Sequence, residues 1–328
     1  MYRYYYNRLS KKQQLLCDLI VSKLSKYENI IDIFDPTVTP ENIFDIFNVI
    51  DKDYPELFYL DIKNNAIEIS MIVIRKRIKV KFIYPIAVIK DYCNKLEQIK
   101  TSLKSSADNC FTIESKLKMV YTSVIRNVNY NYSSISHLDY TIIGPLFNHS
   151  GICEGYAKTL KFFCDTVDIR CIVVSGKAVN LDSFSNEEHA WNIITFDDKT
   201  YSHVDATWDS IRFHKKVNEL YYFLLSDIKM EYDHIWDRQI VPECFGHCKE
   251  AELPCFNDLS EIKSHIYLAV SGRSSRTLFV TNVKFNSTEE IVNMLYSMLS
   301  LHPQYMVKQF YVIYNKTSNV VECAFEYY

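Results

Sequence analysis

The chain has 328 residues, 48% of them hydrophobic and 23% charged, with 37 Lys and Arg against 40 Asp and Glu. That composition excludes a disordered, collagen-like or coiled-coil chain. A formal net charge of −3 argues against nucleic-acid binding through a basic surface, and six glycines leave little material for a glycine-rich nucleotide cradle.

The length predicts two or three domains. The first residues, MYRYYYNRLSKKQQLL, carry charge early and lack the apolar run of a signal peptide. Tyr2, Tyr4, Tyr5 and Tyr6 are expected to pack this arm on the body. Helical spacing of Leu9, Leu15, Leu16, Leu19, Ile20 and Leu24 predicts a helix over 9–27 with Ser10 as N-cap. A second helix is expected after Thr39-Pro40-Glu41. Leu57–Ile62, Ala66–Ile74 and Ile78–Ile83 read as strands, with a turn at Asn64-Asn65. Arg75, Lys76, Arg77, Lys79 and Lys81 interrupt the most apolar stretch, so it cannot span a bilayer; we read them as a solvated strand face. A helix from Pro85 to Leu103 leads to a polar linker, Lys104–Asn109. This closes an N-terminal α+β accessory domain, residues 1–108.

Residues 109–256 read as a second domain. A helix is predicted over Thr112–Asn127, an irregular stretch over Tyr130–Ser150, and a helix from Cys153 to about Val167. Cys171–Ser175, Ala190–Phe196 and Thr200–Asp205 read as strands, with a turn at Asp197-Asp198-Lys199. The result is a helix packed on a short antiparallel sheet, an α+β arrangement. Residues 257–328 form a third, small α+β domain: strands at Ile266–Val270 and Thr277–Val283, a helix over Ser287–Leu299, and strands at Gln309–Tyr314 and Val320–Tyr327.

Three segments of the middle domain carry chemistry: Gly151-Ile152-Cys153-Glu154-Gly155-Tyr156-Ala157, Glu188-His189-Ala190-Trp191-Asn192, and His203-Val204-Asp205-Ala206-Thr207-Trp208-Asp209. Cys153 opens a helix, where unpaired N–H groups and the helix dipole favour a thiolate. His189 opens one strand and Asp205 closes the next, so a hairpin would bring them together. The Asp can then hold the imidazole in one tautomer while its other nitrogen faces the thiol.

These blocks, in this order, resemble the transglutaminase-like superfamily of cysteine enzymes, related in arrangement to papain-like proteases. The resemblance covers about residues 110–256. Phe223–Asp233 (FLLSDIKMEYD), followed by His234, is also similar to the tail of bacterial members. The resemblance implies a transglutaminase-like core flanked by two small α+β domains, with Cys153, His189 and Asp205 as catalytic residues. It implies thiolate attack on a peptide or protein amide through a thioester, resolved by water (peptidase or deamidase) or by an amine (transglutaminase). The Cys153 backbone N–H is one candidate oxyanion donor; Asn148, His149 and Tyr140 are candidates for the second. Trp191, Trp208, Tyr156 and Asn148 are expected at the substrate, with Trp191 and Trp208 walling the site or packing beneath it.

A catalytically silent scaffold binding a protein or peptide partner is the competing expectation. Thiol redox chemistry lacks a C-x-x-C motif. Cys244, His247, Cys248 and Cys255 offer soft ligands, yet His247 and Cys248 are adjacent, so no metal is expected there; calcium lacks any EF-hand spacing. We expect no cofactor and no membrane contact. The ten cysteines are read as mostly reduced thiols of a cytoplasmic protein. The polar loop Gly176–Glu188 is expected to border the cleft.

Overall fold

The first two long helices of this chain start at short polar caps. Ser10 and Gln13 form a capping box that starts α1 (Lys11–Ser25), and Leu16, Ile20 and Leu24 then bury one face at four-residue intervals. Thr39 and Asn42 do the same for α2 (Pro40–Asp53), with Pro40 in the first turn. Between them runs a strand that sequence patterning did not single out, β1 (Ile30–Ile33). It joins β2 (Ile67–Ile72) and β3 (Arg75–Val80) in an antiparallel sheet of order β1-β3-β2. The computed structural model describes all residues except 61–66, 73–74, 134, 180–185, 198, 215–219, 232, 247–253, 275 and 316–319. The turn expected at Asn64-Asn65, Asp198, His247, Cys248 and residues 180–185 of the expected 176–188 loop therefore lie outside the described residues; the rest of that loop is strand.

Two elements of this first region differ from expectation. No strand begins at Leu57: Pro55–Leu57 is a turn of 3₁₀ helix, and Leu57, Phe58, Tyr59 and Leu60 are buried consecutively. A continuous apolar run does not distinguish a strand from irregular buried chain. The expected linker is the last turn of α3 (Ile86–Ala107), because Leu96, Leu103 and Ala107 keep a buried stripe through the Lys-Ser-Ser sequence.

α4 (Ile113–Asn127) follows, and its buried face belongs to the same hydrophobic core as α1, α2 and α3. Short parallel strands β4 (Asn129–Tyr130) and β5 (Ser150–Gly151) then deliver the chain to α5 (Cys153–Thr166), which is buried along nearly its whole length. The sheet beside it places β6 (Arg170–Val179), β7 (Asn186–Thr195), β8 (Tyr201–Val204) and β9 (Phe223–Leu225) side by side in that order, and α6 (Ala206–His214) continues directly from β8. The fold is α+β.

The chain forms two compact units. One comprises Met1–Lys177, Glu188–Asp227 and Trp236–His247, the other Ala178–Glu187, Ile228–Ile235 and Cys248–Tyr328. The division expected near residue 108 falls inside the first unit. The second unit has its own apolar core and a sheet of β10 (Cys255–Phe256), β11 (Arg276–Thr281), β12 (Val307–Asn315) and β13 (Val320–Tyr327), ordered β10-β11-β13-β12. Its helices are α7 (Leu259–Ser271) and α8 (Thr288–Ser300). The strand expected at Ile266–Val270 is the second half of α7. Asp258 caps that helix through the N–H groups of Ser260 and Glu261, and Ile262, Ile266 and Val270 fall on one buried stripe. Among the described residues no disulfide is present, and no helix is long and apolar enough to cross a membrane.

Candidate active site

Cys153 is the first residue of α5. The preceding residue, Ile152, has no side-chain oxygen and offers no cap to the first-turn N–H groups. A helix that starts without a cap leaves donors and the positive dipole end for whatever charge appears at Cys153. The position of this helix start depends on Gly155. A Cβ there would lie 2.2 Å from the Asp139 carbonyl oxygen, a backbone atom. Cys153 is 9% exposed and packs with Ala157, Val173 and Ala190. The N-terminal arm closes this side of the unit: the Tyr5 hydroxyl donates to the Val173 carbonyl at 2.7 Å, and the Tyr4 hydroxyl to that of Ile240 at 3.1 Å.

The expected hairpin forms. β7 and β8 pair antiparallel with Asn192 opposite Val204. Continued by one residue, that register sets Trp191 opposite Asp205 and leaves His189 and Asp205 as diagonal neighbours on one face. His189 Nε2 lies 2.8 Å from Asp205 Oδ2. The Cys153 thiol faces the same imidazole and, with Asp205, favours its charged form. Burial opposes a charge on His189, but the Asp205 carboxylate and the Cys153 sulfur outweigh it and hold its pKa up at about 10.

Asp205 is fully buried. Its second oxygen caps α6, accepting from Thr207 N at 2.8 Å and Trp208 N at 3.2 Å. One carboxylate thus ends a strand, starts a helix and orients an imidazole. Asp209 anchors this turn. It accepts from the Tyr121 hydroxyl at 2.7 Å and from the N–H groups of Tyr221 and Tyr222, and burial pushes its pKa up to about 6. β9 pairs with β8 across a bulge at Leu224, whose φ of 62° is rare for a branched residue.

The other residues expected at the site separate into two groups. The Trp208 ring lies 5.7 Å from that of His189 and is partly exposed. Asn148 is exposed at the end of a π-helical turn, Gly144–Asn148, which His149 closes with φ 52°; Tyr140 lies in the preceding 3₁₀ turn. Trp191 and Tyr156, however, are in the core, 1% and 0% exposed. Tyr156 donates to the Val128 carbonyl at 2.6 Å and Trp191 to His203 at 3.0 Å. They have no surface to offer a substrate, so packing beneath the site is their role. Of the cysteines considered for a metal, Cys244 is buried and Cys255 is exposed.

Sequence reasoning missed His203 and Asp227. Both are buried, and His203 Nε2 lies 2.8 Å from Asp227 Oδ1. The available signal was position: His203 stands two residues before Asp205 on the same strand face, and Asp227 lies in the FLLSD segment.

Residues 98–206 match the transglutaminase-like superfamily, a span that contains Cys153, His189 and Asp205. The chain therefore carries a transglutaminase-like domain over residues 98–206. No curated protein matches. Among solved structures the chain is similar to a candidate cysteine protease from Cytophaga hutchinsonii, at 14% identity over 43% of this chain and 61% of that one, with a TM-score of 0.29. It is similar to a TGase at 14% identity over 54% and 51%, TM-score 0.29. The periplasmic domain of TgpA from Pseudomonas aeruginosa follows at 13% identity over 44% and 57%, TM-score 0.29. The chain spans between half and about three-fifths of the length of these structures.

Proposed function

We propose that this protein is a cysteine-nucleophile acyl-transfer enzyme that acts on a peptide or protein amide. The observation that supports this reading best is the order of three buried groups. The Asp205 carboxylate lies 2.8 Å from one nitrogen of His189, and Cys153, at an uncapped helix start, lies beside the same ring. That order suits an imidazolium that shares its proton with a thiolate.

The Cys153 thiolate attacks the amide carbonyl carbon, and the carbonyl electron pair moves onto oxygen, where the Cys153 backbone N–H can meet it. The C–N bond then breaks as His189 protonates the leaving nitrogen, and a thioester remains. Neutral His189 takes a proton from water, which attacks the thioester and releases acid and thiol. An amine in place of water gives cross-linking. Hydrolysis is the reading we favour, and the cytoplasm is the proposed compartment.

The test is site-resolved alkylation with iodoacetamide from pH 5 to 9, read by mass spectrometry on the native protein and on His189→Ala. Cys153 should react fast below pH 7 in the native protein alone. A Cys153 that reacts only near the ordinary thiol range in both proteins would overturn the reading and favour a silent scaffold.

A further inference from the structure

Behind His189 lies a second buried set of the same residue types: His203, Asp227 and Cys244. Its hydrogen bonds assign the tautomer of His203. The Trp191 indole can only donate, and its N–H points at His203 Nδ1 from 3.0 Å. Nδ1 is therefore the acceptor, and the proton sits on Nε2, which donates to Asp227 Oδ1 at 2.8 Å. Arg238 donates to the other Asp227 oxygen at 3.1 Å. Burial, reinforced by the Asp227 charge, pushes the Cys244 thiol up, and its S–H donates to the Pro242 carbonyl at 3.6 Å.

This pattern argues against a metal. One ligand atom from each of the three residues lies within 4.8 Å of the others. A metal there would need the Nε2 lone pair and so the proton on Nδ1. Two N–H donors would then face each other across the Trp191–His203 contact.

The pattern has another consequence. In the β7–β8 register, Trp191 and His203 are diagonal neighbours, one pleat repeat along from His189 and Asp205. The Trp191 ring lies nearly parallel to that of His189, at 21° and 6.0 Å between centroids. The geometry points to His203 as a positioning residue: carried by Asp227, it fixes the rotation of the Trp191 indole and so holds that ring flat against His189. An indole whose N–H is engaged this way presents its electron-rich face to the imidazolium. This inference rests on the reading of Cys153, His189 and Asp205 as the reacting groups.

The test separates the two ideas. The carbon-bound protons of His189, identified among nine histidines by their loss in His189→Ala, report the indole through its ring current. They should be shifted upfield in the native protein. His203→Phe removes both hydrogen bonds and should move these signals towards their exposed-histidine positions. It should also alter the Trp191 indole N–H signal and slow Cys153 alkylation about tenfold. His203→Gln can accept from the indole and donate to Asp227, and should restore all three. Asp227→Asn, which keeps shape and an acceptor, gives a smaller shift in the same direction and serves if His203→Phe does not fold. Unchanged His189 signals in the folded variants would overturn the inference. Shifted His189 signals in a protein whose Cys153 shows no activation would support the positioning and reject the proposed activity.

Discussion

The first unit holds two Cys-His-Asp sets whose histidines share one hairpin face, and they differ in the order of their contacts. In one, the imidazole of His189 stands between the Asp205 carboxylate and the Cys153 sulfur. In the other, the Asp227 carboxylate accepts from His203 and Arg238, and the Cys244 thiol beside it donates to the Pro242 carbonyl. A central imidazole can pass a proton to and from sulfur, so the set can generate a thiolate. A central carboxylate only collects donors; it raises the thiol pKa and fixes the ring. Identical residue types therefore give a reactive centre in one place and a support in the other.

The sharpest way to break that comparison is to remove the base of the first set and the thiol of the second. With His189→Ala, Cys153 should return to ordinary thiol behaviour. At pH 6 a thiol of ordinary pKa is about 0.3% ionised, so alkylation should slow about 300-fold. Cys244→Ala should change the Cys153 rate far less, and native Cys244 should resist labelling throughout. Equal labelling of the two cysteines in the native protein would end the distinction.

The carboxylates come next. Asp205→Asn removes the charge that holds His189 at about 10, so the imidazolium is lost at lower pH. Thiolate-dependent alkylation at pH 6 should fall on the order of 100-fold, against tenfold or less for Asp227→Asn. A larger loss from Asp227→Asn would place the working charge in the other set.

Gly155→Ala probes the helix start that only the first set uses. The added methyl meets the Asp139 carbonyl oxygen, and α5 must shift. A cost of about 2 kcal/mol, or a melting temperature lower by about 5 °C, is expected. Cys153 should lose reactivity while the Trp191 indole signal stays in place.

The smallest effect is on pH dependence, through the arm that packs behind the first set. Burial raises Asp53 from 3.8 to about 6, although its Oδ2 accepts from Tyr6 N at 2.8 Å. Between about pH 4 and 6 the folded state therefore holds more protons than the unfolded one, and stability falls as pH rises through that window. Asp53 alone contributes a slope of at most about 1.4 kcal/mol per pH unit. Asp53→Asn should flatten it in urea midpoints measured from pH 4 to 7, leaving the part due to Asp209, which burial also holds at about 6. An unchanged slope would mean that Asp53 is ionised across the window.

How much was legible follows from the range of each signal. Ser10 and Thr39 act within one turn, so the caps could be read directly. The run Ile266–Val270 failed as a strand because five apolar or aromatic residues carry no period of their own; the cap at Asp258, eight residues earlier, decided the matter. The Lys104–Asn109 segment failed as a linker because two residues, Leu103 and Ala107, were enough to bury a stripe through it. Local sequence alone specified Cys153 at a helix start and placed His189 and Asp205 on strands that could pair. It could not say which imidazole nitrogen meets which carboxylate, that Trp191 and Tyr156 are enclosed, or that a second histidine supports the first. Those depend on the hairpin register and on residues far apart along the chain, 24 positions in the bond between His203 and Asp227 and 54 in that between Tyr156 and Ser210. Composition and local spacing determine which groups are available and on which face; only close packing determines the order in which they touch, and that order decides which set can do chemistry.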